Sequence, residues 1–319
     1  MTPSNYNEET VRLAFRMILG REVESDRTID AHLGFGSVEQ LGRVLIESQE
    51  FRCKAEIPHL DGSKWVATDV LDRYIMWVDL HDRYVSRGCL LGGWESEETE
   101  FFESRLHEGQ TVLDIGANLG WFTLVAAGKI GSSGKVHAFE PRPVSSGMLA
   151  RTIAMNQLHS VVELWDYALS DSAGELTLHW AENNENPGHS FLSRSPSAIA
   201  GHESARVRTA RLDDLLPEVA PDVVKIDVEG AEPMVIAGAL QALRRKKPVI
   251  LSELFPEQLM SVSGVTTAEY IAQMEREGYA CYLLKKGVLT DRLQDYPSGY
   301  PKELASVVFE PKGSSQSTS

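Results

Sequence analysis

The chain has 319 residues, 42% apolar and 24% charged, which is ordinary for a globular protein of one large or two smaller domains. A formal net charge of −15 repels phosphate backbones and argues against a nucleic-acid partner. Cys53, Cys89 and Cys281 lack the spacing of a zinc or redox site, and neither a membrane span of ~18 apolar residues nor a secretory leader is visible, so a cytoplasmic protein with reduced thiols is expected.

In chain order, Val11, Ala14, Phe15, Ile18 and Leu19 recur at three- and four-residue intervals and predict an amphipathic helix over 7–20. A second helix is expected from Ser37, with a capping box to Gln40 and an apolar face of Leu41, Val44, Leu45 and Phe51. Residues 1–55 therefore read as a small helical domain, and the Pro58, Asp61, Gly62, Ser63 cluster marks 56–64 as a linker. From 65 to 312, apolar runs alternate with helical patterns, the signature of a mostly parallel sheet of about seven strands with helices on both faces. Strands are expected at 112–115, 136–139, 161–165, 223–226, 249–254 and 280–284. Extra strands at 175–180 and 206–210 flank a polar loop, 182–203, long enough to be a lid. Residues 307–309 read as a last edge strand, and 313–319 as a disordered tail.

The strongest chemical signal is the stretch from Thr111 to Thr123, where a strand ends at a glycine turn and a helix follows. Its spacing, Gly116-x-x-x-Gly120, departs from G-x-G-x-x-G, so the turn lacks the pyrophosphate cradle of dinucleotide enzymes. A ligand without phosphates fits better. S-adenosylmethionine has an amino-acid end and a ribose, and Asp114, Gly116, Ala117, Asn118, Gly120, Phe122 and Thr123 are its expected contacts. The next strand ends in Phe139-Glu140-Pro141, which places the Glu140 carboxylate where ribose hydroxyls would lie; acidic strand ends also occur for structural reasons alone. After the third strand, Asp166, Tyr167 and Ala168 stand where an adenine would, although Asp166 also suits a turn. Trp94 and Glu95 either cover the methionine end or fill the groove between strand and helix.

Together, 114–123, Phe139-Glu140-Pro141, Ala168-Leu169-Ser170-Asp171, the run from Lys225 to Glu232 and Gly93-Trp94-Glu95 resemble the FkbM family of methyltransferases, in the family order. The resemblance implies a class I methyltransferase fold, Rossmann-like, and O-methylation of sugars or natural-product hydroxyls with S-adenosylmethionine. The N-terminal unit, with Leu19-Gly20-Arg21-Glu22 and Ser48-Gln49-Glu50-Phe51, resembles a short helical domain found beside bacterial glycan-modifying enzymes. That implies a small-molecule or glycan acceptor, with a docking partner or a second copy held through these helices.

Methyl transfer from a sulfonium is an in-line displacement, and a sugar hydroxyl needs help in losing its proton. The fourth strand ends with Lys225, Asp227, Glu229 and Glu232 close together. Asp227 closes a central strand where the ligand crevice of an open sheet is expected, and it ranks first for acceptor or metal contact. Lys225 interrupts an apolar strand and needs a carboxylate partner if buried. Glu253 ends the neighbouring strand; Asp227 and Glu253 then either share a proton or, with Glu229, hold a hard cation such as Mg or Ca. Glu232 before Pro233 suits a helix start as well as a site. His189 and His202 in the polar loop are candidate general bases, against the commoner case of a solvated histidine.

Three other readings compete. A ribose 2′-O-methyltransferase would use a similar lysine and carboxylates, but the one dense basic run, 244–247, suits a helix C-terminus better than an RNA channel. A nicotinamide oxidoreductase is disfavoured by the glycine spacing. A non-catalytic scaffold of a glycan-assembly complex fits poorly with so many carboxylates in the crevice.

Overall fold

The structure, a computed structural model, describes residues 6–19, 23, 25–47, 65–80, 82, 84–181, 190–194, 199–293, 301 and 303–313. The expected linker 56–64, residues 20–22, 48–51, Cys53, His189 and the tail from 314 lie outside them. Contacts divide the chain into two units, Met1–Ala67 and Thr68–Ser319.

The first unit holds helices Glu8–Leu19, Asp26–Leu33 and Val38–Glu47, whose Val11, Phe15, Ile29, Leu41 and Leu45 form a small core. Gln40 N–H donates to Ser37 Oγ (3.2 Å), one of the two bonds of the expected capping box. The middle helix escapes the periodicity because only Ile29 and Leu33 mark its apolar face. Its start is set by Ser25, whose side chain accepts from the Thr28 N–H.

Strands β1 (Trp65–Val70) and β2 (Tyr74–Asp79) form a two-stranded sheet. The main sheet is built from β3 (Thr111–Ile115), β4 (Lys135–Phe139), β5 (Val162–Trp165), β10 (Val223–Ile226), β11 (Val249–Leu254), β12 (Tyr279–Lys285), β13 (Val288–Arg292) and β14 (Ala305–Pro311). Between β5 and β10 the chain makes β6 (Ala168–Leu169), β7 (Gly174–Ala181), β8 (Phe191–Ser193) and β9 (His202–Ala210), a separate sheet of order β6-β9-β7-β8. The main sheet runs β13-β12-β14-β11-β10-β3-β4-β5. Its five strands from β11 to β5 are parallel, and all four residues of β10 are buried, as expected where helices cover both faces.

The strand order reverses between β3 and β10: the chain builds outward through β4 and β5, then returns to the other side of β3. At such a reversal the connections leave in opposite directions and open a crevice at the carboxyl ends of the strands.

Two expectations need correction. The 307–309 run is no edge strand: β14 is wedged antiparallel between β11 and β12, and Val307, Val308 and Phe309 are fully buried. Three successive apolar residues suit a strand covered on both faces and paired on both edges. The loop expected over 182–203 is also interrupted, because Phe191–Ser193 pairs with β7 as β8 and His202 and Glu203 already belong to β9. Cys89 and Cys281 are buried, and burial raises the pKa of both thiols. Among the described residues no helix is long and apolar enough to cross a membrane.

Candidate active site

At the end of β3 the chain turns at Gly116 with φ of +85°, and a Cβ there would sit 1.8 Å from the Asp227 carbonyl oxygen. Glycine is required on both counts, since only a residue without Cβ lets this turn lie against the end of β10. Gly120 starts the helix Trp121–Ile130 at φ +99°, where a Cβ would meet Leu149 at 2.4 Å. Between them Asn118, at φ +48°, donates its N–H to Glu140 Oε2 (2.7 Å), and its side-chain Oδ1 is buried with no hydrogen-bond partner.

Glu140 closes β4 at 6% exposure, and its Oε1 accepts the Arg142 N–H (2.8 Å). Burial pushes its carboxyl up to about 7 against the opposing pull of these two amides. Each carboxylate oxygen has further acceptor capacity, which suits a vicinal diol.

A cavity of about 920 Å³ runs along this edge, near the upper end of the roughly 300–1,000 Å³ usual for ligand sites. Of the expected cofactor contacts, Glu95, Gly116, Ala117, Asn118, Phe122, Glu140, Tyr167 and Ala168 line it. Asp114, Gly120, Thr123 and Asp166 do not. Asp114 is 2% exposed and accepts the Thr123 hydroxyl, so this pair ties β3 to the helix behind the turn. Burial raises the Asp114 carboxyl to about 6. Asp166 lies at the surface, where its carboxylate meets Arg208 (2.5 Å), and the Arg208 guanidinium also covers the Tyr167 ring at 4.3 Å.

On the other side of the turn the end of β10 carries the charged cluster. Lys225 is 2% exposed, with Nζ 3.1 Å from Asp227 Oδ2, 3.8 Å from Glu95 Oε2 and 4.8 Å from the Phe122 ring centre. Burial pulls the Lys225 pKa down, but Asp227, Glu95 and Glu253 together hold it above its ordinary value. Burial raises Glu95 to about 7, and Asp227 followed by burial pushes Glu253 well up. Glu95, Asp227 and Glu253 each offer an oxygen within 4.8 Å of the others. Glu95 (φ +43°), Asn118 and Glu229 (φ +51°) are all non-glycine residues in the left-handed region, and all three line the cavity. Such strain costs on the order of 1–3 kcal/mol each and gathers where a site demands it.

The expected hard cation is not supported. Lys225 already places a positive charge against Asp227, and a divalent ion among the three carboxylates would lie beside that buried ammonium. Glu232, 1% exposed, accepts the Gly230 N–H (3.2 Å) and stays outside the cavity, so it belongs to the helix start. Lys225 too is an internal counter-ion outside the lining. His202 opens β9 with Nδ1 against the Ala200 carbonyl (3.2 Å) and does not line the cavity.

Sequence reasoning missed a third wall. Tyr84, Glu98, the end of β12 at Leu283–Lys285 and residues 303–306 before and within β14 complete the cavity. Ser306 pairs with Glu253 in register and donates its hydroxyl to Glu98. The one available signal was the apolar density of 307–309, which marks a covered strand beside β11.

An open parallel sheet that reverses its order beside a glycine turn, with one antiparallel strand wedged next to its last parallel one, is the class I methyltransferase form of the Rossmann-like fold. Residues 114–281, just over half of the chain, match the Methyltransferase FkbM domain, and the chain belongs to that family. It is 33% identical over 156 residues to the methyltransferase sdnD of Sordaria araneosa, covering 40% of this chain and 59% of that protein. It is 29% identical over 147 residues to the hexuronic acid methyltransferase AglP of Haloferax volcanii, covering 45% of this chain and 56% of that one. The chain thus spans less than three-fifths of the length of these relatives. A solved FkbM methyltransferase from Methylobacillus flagellatus KT aligns with a TM-score of 0.41 at 14% identity, over 93% of this chain and 58% of that one. Likeness at that level says nothing of substrate or mechanism.

Proposed function

We propose that the protein is an S-adenosylmethionine-dependent O-methyltransferase acting on a hydroxyl of a sugar, glycan or glycosylated natural product. One observation carries the reading: a single cavity joins the glycine turn and Glu140 to the carboxylates of β10 and β11. Five adjacent strands bring Glu253, Asp227, Gly116, Glu140 and Tyr167 to one sheet edge, a row of roughly 19 Å at ~4.8 Å per strand. The cofactor suits the β3–β5 part of the row and the acceptor the β10, β11 and β14 part.

The residues present fit S-adenosylmethionine. Gly116 and Ala117 bring the turn to the cavity wall, the buried Asn118 Oδ1 seeks a donor such as an ammonium group, and Glu140 offers acceptors to a ribose. Tyr167 and Ala168 line the far end, where an adenine fits. The acidic lining complements a ligand with a sulfonium and an ammonium. Bound there, S-adenosylmethionine supplies an electrophilic methyl group on a positively charged sulfur.

The chain's own part is to hold the acceptor oxygen roughly 3 Å from that methyl and to take its proton. Asp227, held by Lys225, accepts the hydrogen bond of the hydroxyl. Glu95 receives the proton: its carboxyl lies near neutrality, and its Oε2 has no hydrogen-bond partner. Burial of Lys225 on the Phe122 ring keeps the cluster dry and rigid. At the level of a sugar alone, the acceptor class draws support from the name of the Haloferax relative, a hexuronic acid methyltransferase. The N-terminal helices serve as an accessory docking unit, and a cytoplasmic setting completes the reading.

Calorimetric titration of S-adenosylmethionine and NAD tests it. Micromolar binding of the first alone, followed by methyl transfer to sugars in an acceptor screen, is expected; binding of NAD alone overturns the reading.

A further inference from the structure

The acceptor end of the cavity has an unbalanced charge. Glu95, Glu98, Asp227, Glu253 and Glu303 line it, and among the described lining residues of the whole cavity Lys285 is the only cation. Lys285 is held by Asp291 (3.5 Å) with its side chain 55% exposed. Lys225 is enclosed and already held by Asp227 and Glu95. Among the described residues an anion entering here finds no free positive group, and the carboxyls already repel one another, since Asp227 followed by burial pushes Glu253 well up.

Glu229 adds a further acid and Ser306 gives its hydroxyl to Glu98, while the rim is apolar. Tyr84 and Leu304, each 54% exposed, stand at the rim, with Leu283 and Leu284 at the end of β12. A sugar ring has an apolar face that an aromatic or aliphatic surface covers, and hydroxyl hydrogens that carboxylates accept. A carboxylate or phosphate on that ring would bring a further negative charge beside Asp227, Glu98 and Glu303.

Resting on the methyltransferase reading above, we infer that the acceptor is a hexopyranoside-sized polyol that is uncharged or amine-bearing, and that the site rejects uronic acids and sugar phosphates. The acids at the ends of β10 and β11, together with Glu98 and with Glu303 just before β14, form an anion-excluding pocket.

Three methyl glucopyranosides that differ only at carbon 6 test this: one with a hydroxymethyl group, one with an aminomethyl group and one with a carboxylate. Each is titrated by ligand-observed NMR into the full chain saturated with S-adenosylhomocysteine, then assayed for methyl transfer. The carboxylate is expected to bind at least tenfold more weakly than the hydroxymethyl compound, and the amine at least as tightly. Glu303→Lys, at an exposed position, narrows the gap between carboxylate and neutral sugar at least threefold. Equal or tighter binding of the carboxylate overturns the inference, as does binding of none of the three. Failure of the adenosyl compounds themselves to bind is a different result and overturns the cofactor reading.

Discussion

The carbonyl oxygen of Asp227 lies where the side chain of Gly116 would begin, 1.8 Å from the position of a Cβ. The turn after β3 and the end of β10 are thus in contact through bare backbone, and the cofactor part of the cavity and its carboxylate part share one wall. Gly116→Ala forces these strand ends apart and also strains a backbone at φ +85°. Loss of measurable S-adenosylmethionine binding by calorimetry is expected, with a melting temperature several degrees lower. Unchanged binding would show that the turn is not the cofactor's seat.

Glu140→Ala leaves the Asn118 and Arg142 amides without their carboxylate, at a cost on the order of 1–3 kcal/mol per unsatisfied group. With the diol partner lost as well, cofactor affinity falls by roughly 100-fold. Glu140→Gln, which keeps an acceptor, loses less. Titration of both variants separates the two effects.

Asp227→Ala removes the acceptor's hydrogen-bond partner at the junction of the two parts. Turnover is expected to drop by at least ~100-fold while the cofactor still binds within a fewfold of the native affinity. Full turnover in this variant would remove Asp227 from the chemistry.

Lys225→Met leaves Asp227 and Glu95 buried or half-buried without their ammonium, and breaking such a pair costs about 3–5 kcal/mol. Denaturant unfolding reads this loss directly, and Lys225→Met/Asp227→Asn is expected to recover part of it. Because Lys225 supplies the positive charge, a chelator leaves both stability and cofactor binding unchanged; a fall in either on adding EDTA would restore a metal to the site.

Glu232 sets a pH dependence of the fold. Burial raises its carboxyl from an ordinary 4.5 to about 7. Below 4.5 it is protonated in both folded and unfolded chains, and its full contribution is present. As pH rises towards 7 the unfolded chain releases the proton while the folded one retains it, so stability falls, by about 3 kcal/mol for a shift of this size. Above 7 the effect levels off. Glu232→Gln still accepts the Gly230 amide through its carbonyl, and its unfolding free energy is expected to fall less steeply between pH 5 and pH 7.

Much of this site was legible because its signals are local. A glycine turn between an apolar strand and a helix, an acidic residue closing the next strand, and Asp227 and Glu253 closing two more are written in consecutive residues. What misled was facing. Asp114 and Thr123 sit in the same stretch as Ala117 and Asn118, yet they turn away from the cavity and bond to each other. Asp166 is held by Arg208, 42 positions along the chain and on the second sheet, a partner that no local pattern reveals.

The sequence alone determined the alternation of strands and helices, the glycine turn and the carboxyl-edge acids, since backbone sterics and apolar periodicity act over a few residues. Tertiary structure decided that β14 enters between β11 and β12, that Ser306 joins Glu253 and Glu98 in one wall, and that Lys225 is the cluster's counter-ion. Those outcomes depend on strand pairing and burial between segments up to about 200 residues apart, whose energies arise only once the sheet has closed around them.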